Sequence, residues 1–524
     1  MSLAPETTRT RIPLRTRTTD DPAVVADQQA DDYGNHVVPL TARVGRWQLT
    51  MSFWSLLSAL VWLFYGALAA SLYGTTDALI AIGVSIVTYS LINSLFTGWA
   101  RRSGLNSTLL SRRMFGVLGA SLTALLIAAN TTYYAVFESS TLAVAFQHYT
   151  PDWDIRIWYA VVALAMLPLM LGGVQTWMAR LNGVLLPLYV VGIAAAVIVA
   201  AFRFEHSGEW LSFEGVVPPE ARAMPGWLLG TILYMGIYLS MPMTVDFARF
   251  ARKEDEKFHR RVTFGWVFYA WLYGVNGAAG IFLVRAAVPD EPTAETGVVT
   301  AIIATLGVAG LILIAVSQAR INSLNYYAAS SNWGRLITNI TGRRPHRRTL
   351  VAYTTVVVFL LMLTDVFAYL QDALTWQGVF LVSWVGVALT HYWLVPEDRK
   401  DGPEFRARRL PRVTWGLGVW VVSAALGITL AEASGVPPLL ASGATPVALV
   451  ASVVLYAAAV KLLPAVSRAD DPRDEVADPA GTYAECHGCA KSYVVLEMDR
   501  EPAAGGAAVC DECATAALLP GAGR

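Results

Sequence analysis

Residues 227–250 read WLLGTILYMGIYLSMPMTVDFARF. No charge occurs before Asp246, and at 1.5 Å of helical rise per residue the stretch is long enough to enter a hydrocarbon layer about 30 Å thick. Gly230, Gly236 and Pro242 fall inside it. Gly and Pro in a membrane helix free backbone groups that lipid cannot satisfy, so other helices or a polar cavity must serve them. Residues 60–71, LVWLFYGALAAS, carry Gly66 in a comparable run five spans earlier. Interrupted helices in matching places of two halves point to a binding site near the midplane.

Outward from this pair, the composition agrees. Of 524 residues, 55% are hydrophobic and only 15% charged, against about 25% charged in soluble domains, and mean hydropathy is +0.47. Apolar runs fall near 50–73, 77–97, 114–146, 157–173, 183–203 and 226–248, then near 262–286, 298–320, 350–366, 373–395, 413–432 and 444–464. The reading is an all-α integral membrane protein of 12 transmembrane helices spanning 46–465. Connections on one side, such as those holding Arg101, Arg112, Arg180, Arg260 and Arg409, carry 22 Lys and Arg in all. The other side carries only Arg156, Arg203, Arg222 and Arg285. The positive-inside rule then places both termini in the cytoplasm.

The 39 basic and 39 acidic residues cancel, which gives no global field for nucleic acid. Arg outnumbers Lys 34 to 5, the codon signature of a GC-rich bacterial genome, and the expected location is the plasma membrane. Residues 1–45 form a cytoplasmic N-terminal segment without an apolar signal region, so the first span also directs insertion.

Charged and amide groups at membrane depth mark sites. In 129–140, ANTTYYAVFESS, Tyr134 and Glu138 are four apart and share a helix face, with Asn130 one turn earlier. A ring below a carboxylate suits a flat heterocycle with N–H donors; the alternative is a Glu that caps a bend or pairs with another helix. In 318–333, QARINSLNYYAASSNW, Gln318, Arg320, Asn322 and Asn325 line a water path or bundle interior, unless the eighth span ends near Ser317 and Arg320 only snorkels. Asp246 and Arg249, three apart, read as a local ion pair or cytoplasmic gate.

Together these segments resemble the nucleobase–cation symporter family, which includes purine and cytosine permeases and allantoin and hydantoin transporters. The resemblance is carried in order by ARRSGLNSTLLSRRMFG (100–116), ANTTYYAVFESS, MPMTVDFARFARKEDEKFHRR (241–261), QARINSLNYYAASSNW and LTHYWLV (389–395), and covers about residues 45–465. It implies two inverted five-helix repeats plus two helices, with alternating access. It further implies a base stacked by Tyr134 and by a helix-six aromatic near Gly236, either Tyr234 or Tyr238. Glu138 would read the ring edge, and Asn322 or Asn325 would add an amide. Sodium-coupled members have a Ser–Thr pair where this chain has Ser317–Gln318, with Arg320 two residues on. A fixed guanidinium there can stand in for the cation, which favours H+ over Na+ as the coupling ion.

The chain carries no Walker motif and no Ser–His–Asp set, so neither an ATP-driven pump nor an enzyme is expected. The expected function is import of a nucleobase or related heterocycle across the lipid bilayer. The alternative is a membrane receptor for such a ligand. After an acidic linker at 466–484, residues 485–524 hold Cys486-His-Gly-Cys489 and Cys510-Asp-Glu-Cys513. Two CxxC turns are ligands for structural Zn2+ in a small ribbon, with iron or a redox pair as alternatives. The spacer 491–509 reads as a strand and a turn. A partner contact, regulation and stability all remain open as roles for this tail, and a cytoplasmic protein is one expected partner.

Overall fold

The computed structural model describes residues 12–30, 32–170, 179–289, 296–341, 345–364, 370–464, 466 and 469–518. A short strand β1 (Thr16–Arg17) and helix α1 (Pro22–Ala30) precede the apolar region. The first span is split: α2 (Arg46–Phe53) runs into a 3-10 turn at Trp54–Ser58, and α3 (Val61–Tyr73) leaves at 43° to it. There follow α4 (Thr75–Ser103), α5 (Ser107–Phe115), α6 (Ser121–Gln147), α7 (Ile155–Met170) and α8 (Ala179–Arg203). The sixth span is split as well, into α9 (Gly226–Met235) and α10 (Ser240–Ala248) at 44°. Next come α11 (Glu256–Ala287), which contains two π-helical turns, α12 (Gly297–Leu306) and α13 (Val308–Thr341). The bundle ends with α14 (Arg347–Met362), α15 (Leu370–Leu394), α16 (Trp415–Glu432) and α17 (Ala444–Ala459).

Seven of the described helices are long and apolar enough to cross a membrane, and counting each bent pair as one span brings this to nine. The chain is a multi-pass membrane protein. Reaching twelve requires α6, whose 27 residues suffice in length, together with α7 and α14. The expected runs 157–173 and 350–366 end in residues outside the described set, as do Arg343 and Arg344.

Two expected runs divide differently. The run 114–146 begins with the end of α5, and Gly116 at φ +87° separates that helix from α6. The run 298–320 is two helices parted at Gly307, φ +58°; a residue with a Cβ resists this backbone, so the chain turns there. The eighth span is therefore α13, which continues unbroken past Ser317.

Each break has its freed backbone groups served by side chains. In the first, Asn276 Nδ2 donates to the Leu57 carbonyl (2.7 Å), Ser317 Oγ to Ser58 (2.5 Å) and Arg320 Nη2 to Trp54 (2.8 Å). In the second, Tyr89 Oη donates to the Tyr234 carbonyl (2.5 Å) and Gln377 Nε2 to Gly236 (3.1 Å). Small residues let backbones meet nearby: a Cβ on Gly66 would lie 2.3 Å from the Gly277 carbonyl oxygen, so α3 packs directly on α11.

Beyond the bundle, β2 (Tyr483–Glu485) and β3 (Ser492–Val494) form an antiparallel sheet, and β4 (Met498–Glu501) pairs with β5 (Ala507–Cys510) before α18 (Asp511–Leu518). The spacer 491–509 thus holds two full strands and most of a third, more than the strand and turn expected. The N-terminal β1 adds to β2 with Thr16 opposite Ala484. The stretch 466–484 does not hang free either, because Asp471 and Glu475 are held by Arg406 and Arg500.

Candidate functional site

A cavity opens where the two breaks face each other. Ala59, Val61 and Trp62 line it from the first break, Tyr134 and Glu138 from α6, Ile237, Leu239 and Ser240 from the second, and Ile321 and Asn325 from α13. Glu138 is 0% exposed. Its Oε1 accepts the Val61 N–H at 3.4 Å, so the carboxylate sits at the N-terminus of α3, where the helix dipole favours an anion. Its Oε2 is buried without a hydrogen-bond partner. Tyr134 Oη accepts from Gln377 Nε2 at 2.7 Å, and the same amide nitrogen donates to Gly236, so one side chain of α15 ties the ring of α6 to the second break.

Three of the expected substrate residues, Tyr134, Glu138 and Asn325, meet at this cavity. Asn322 faces α6 instead and donates to Ser139 Oγ at 3.2 Å. Asn130 turns back on its own helix and donates to the Leu126 carbonyl at 2.7 Å. The helix-six aromatics pack away from this cavity. Tyr234 stands edge-on to Tyr273 at 5.0 Å and Tyr238 edge-on to Tyr89 at 5.0 Å. Both rings belong to an aromatic cluster behind the break, and Ile237 and Ser240 take the cavity face. Gly236 contributes its carbonyl to Gln377 rather than a surface to the cavity.

Next to the cavity, Ser317 and Arg320 clasp the first break through its carbonyls, while Gln318 is fully buried on the same helix. Arg320 is itself 0% exposed, and its Nε and Nη1 are buried without hydrogen-bond partners. The buried reading of Arg320 is therefore the one the structure shows, and the snorkelling alternative falls.

Nearer the ribbon, a second cavity is lined by Asp32, Gln48, Asp246, Arg249, Asn332 and Arg335 among others. Asp246 and Arg249 do not form the expected ion pair. Asp246 Oδ1 accepts from the Ser107 N–H and hydroxyl, both at 2.7 Å, at the start of α5, and its Oδ2 lies 3.4 Å from Arg335 Nη1. Arg249 instead donates to the carbonyls of Asp32 (2.7 Å) and Tyr33 (2.8 Å) in the N-terminal segment.

Cys486, Cys489, Cys510 and Cys513 converge with all four Sγ atoms within 4.8 Å of one another. Backbone N–H groups of Cys510 and Cys513 point at Cys486 Sγ (3.3 Å) and Cys510 Sγ (3.5 Å), an arrangement that favours thiolates. The ribbon stands on residues 404–409. Arg406 is clamped by Glu404 and Asp471, each at 2.6 Å, and Arg112 meets Asp511 at 2.7 Å. Burial pushes the Glu404 carboxyl up, but Arg473 and Arg406 outweigh it and hold it down at about 2. Burial likewise works against Asp471, and Arg406 brings it down to about 2.

Gln377, Trp62, Ser240 and Asn276 were missed from sequence. Gln377 and Asn276 carried a usable signal, a lone amide in an apolar run; Trp62 and Ser240 carried none.

No family model and no curated protein matches the chain. Solved structures do. Mhp1, a nucleobase-cation-symport-1 family transporter, in a closed conformation with bromovinylhydantoin bound, superposes with a TM-score of 0.62 at 17% identity, covering 84% of this chain and 98% of that one. The inward-facing conformation of Mhp1 gives 0.63 at 18%, covering 84% and 96%. The substrate-bound outward-open state of a Na+-coupled sialic acid symporter gives 0.59 at 13%, covering 85% and 97%. Over most of its length the chain therefore shares the fold of Mhp1, a transporter of the nucleobase-cation-symport-1 family.

Proposed function

We propose that the protein is a secondary transporter that imports a nucleobase or a related flat heterocycle by alternating access. The observation that carries this is the cavity between the two broken helices, with a ring, a carboxylate and an amide (Tyr134, Glu138, Asn325) on its wall. Tyr134 offers a stacking face, and the Glu138 carboxylate is an acceptor for ring N–H donors. The solved structures it resembles are transporters, which leaves the receptor reading without support.

The coupling ion in this reading is H+. Arg320 donates to Trp54 beside Ser317 at the carbonyl end of the first break, so its fixed charge stands where a bound cation would otherwise neutralise those dipoles. Glu138, buried and without an ion-pair partner, is the group that carries the proton. The ribbon face is the cytoplasmic side, from the distribution of Lys and Arg, and the membrane is the plasma membrane. The tail holds structural Zn2+: tetrahedral coordination at about 2.3 Å puts sulfurs about 3.8 Å apart, which the observed cluster accommodates.

A thermal-shift panel on the purified protein tests the substrate class, with purines, pyrimidines, hydantoins and allantoin each in sodium or choline. A specific heterocycle is expected to raise the melting temperature equally in both salts. No response to any heterocycle would overturn the substrate class, and a response only in sodium would overturn the coupling ion.

A further inference from the structure

We propose that the four-cysteine ribbon is a metal-responsive latch on transport. Loaded with a thiolate-preferring divalent cation, Zn2+ being the type, it holds residues 12–30 and 32–45 across the cytoplasmic vestibule and keeps the inner gate closed. The inference rests on the alternating-access reading above.

The N-terminal segment is built into the ribbon at its far end. Besides the β1–β2 pairing, the Glu485 N–H donates to the Arg15 carbonyl (3.1 Å) and Arg500 Nη1 to that of Ile12 (2.7 Å). Val24 of α1 belongs to the ribbon's own apolar core with Tyr493, Val495 and Met498. Glu497, buried at the β3–β4 junction, accepts from Gln28 (3.4 Å) and from the Val37 N–H (3.2 Å), and lies 3.3 Å from His36 Nδ1. His36 also stacks on Tyr493, 5.6 Å between ring centres.

At its near end the same segment grips the elements that bear the gate. Arg249, at the foot of α10, holds the carbonyls of Asp32 and Tyr33, and Asn106, which caps α5, holds that of Gly34 at 2.7 Å. Asp32 lines the vestibule opposite Arg335 and Asn332. Val44 then bonds the Phe250 carbonyl at 3.0 Å, and α2, the inner half of the first broken span, starts at Arg46. Among the described residues, these bonds run from the ribbon to the feet of α2 and α10.

The ribbon's other anchor is the connection between α15 and α16. Asp511 accepts from Arg112 and from the Ala407 N–H at 2.7 Å, and Arg408 meets Glu501 at 2.5 Å. Asp511 lies between Cys510 and Cys513, so the metal ligands themselves position the residue that docks the ribbon. A ribbon of this size, with one small apolar core, depends on its metal for folding. Losing the metal removes both anchors at once and frees α2 and α10.

The test uses full-length protein in inside-out vesicles, with Ser331→Cys in the vestibule wall as reporter. A maleimide adduct at residue 331 is counted by peptide mass spectrometry, separately from the tail cysteines. Removing metal with EDTA is expected to speed labelling about tenfold, a population shift of about 1.4 kcal/mol, and added Zn2+ is expected to reverse it. Glu497→Ala, which removes the ribbon's bonds to Gln28, His36 and Val37 beside the grip of Arg249 and Asn106 and leaves the cysteines in place, is expected to keep its metal and to label faster than wild type without chelation. Labelling unchanged by chelation would overturn the latch. Acceleration on chelation but not in Glu497→Ala would also overturn it, because the metal would then act through general stability. The readout needs no substrate, so failure of the substrate panel and failure of the latch are separate results.

Discussion

At the scale of single residues, the account turns on buried polar groups that have too few partners. Glu138 Oε1 accepts the Val61 N–H, with the Gln318 side chain and the Leu60 backbone also beside its carboxylate, and Arg320 donates one hydrogen bond, to Trp54. Leaving such groups unsatisfied away from water is costly, so a protein that keeps them has a use for them. Glu138→Gln keeps the shape and loses the exchangeable proton; uptake driven by a pH gradient should fall at least about tenfold while substrate-induced thermal shifts persist or change preference. Wild-type driven uptake in that variant would remove Glu138 from the coupling step. Gln377→Leu strands the Tyr134 hydroxyl and the Gly236 carbonyl and should cost about 1–3 kcal/mol, read as a lower melting temperature in detergent. Tyr134 and Glu138 were legible in the sequence because a carboxylate one turn from a ring is conspicuous in an apolar run. Tyr234 and Tyr238 came from the resemblance, which pointed only to the neighbourhood of Gly236; their packing against Tyr273 and Tyr89 depends on the break and has no local pattern in the sequence.

At the scale of elements, the second interruption was readable and its mate was not, and the first was read at Gly66, which lies inside α3, while the chain breaks at Trp54–Leu60. Gly236 announces the second break, but the surface that accepts it is Gly378 of α15: a Cβ there would lie 2.8 Å from the Gly236 Cα. Gly378→Ala should therefore destabilise by about 1–3 kcal/mol through overpacking. Gly418→Ala, whose Cβ would meet nothing within 4 Å, should be neutral or slightly stabilising; equal melting temperatures for the two would contradict the close approach. The run 298–320 was read as one helix because hydropathy is blind to the sign of φ at Gly307. The ribbon's docking has its own signature in pH. Glu404 and Asp471 are held near 2, below their ordinary values of 4.5 and 3.8. Depressed carboxylates contribute stability that is full above the unfolded values and is lost as pH falls through 4.5 toward 2. Proteolysis between 466 and 484 should rise across that window in wild type, and Asp471→Asn should already show the rise at neutral pH.

At the scale of the molecule, two broken spans five positions apart place one cavity between them, and a metal-ligating tail returns to the foot of the same spans. The apolar helices of the bundle were legible because lipid forces a span to declare itself by composition. The return of the tail was not, because β1 pairs Thr16 with Ala484 across almost the whole chain, and no local pattern encodes such a contact. The central claim is proton-coupled transport with Arg320 in the place of a bound sodium ion. It is tested most directly by uptake of the stabilising heterocycle into proteoliposomes under an imposed inward proton gradient, in choline and again in sodium. Accumulation is expected in choline, unchanged by sodium and abolished by a protonophore. Accumulation that requires sodium, or none in either salt, would contradict it.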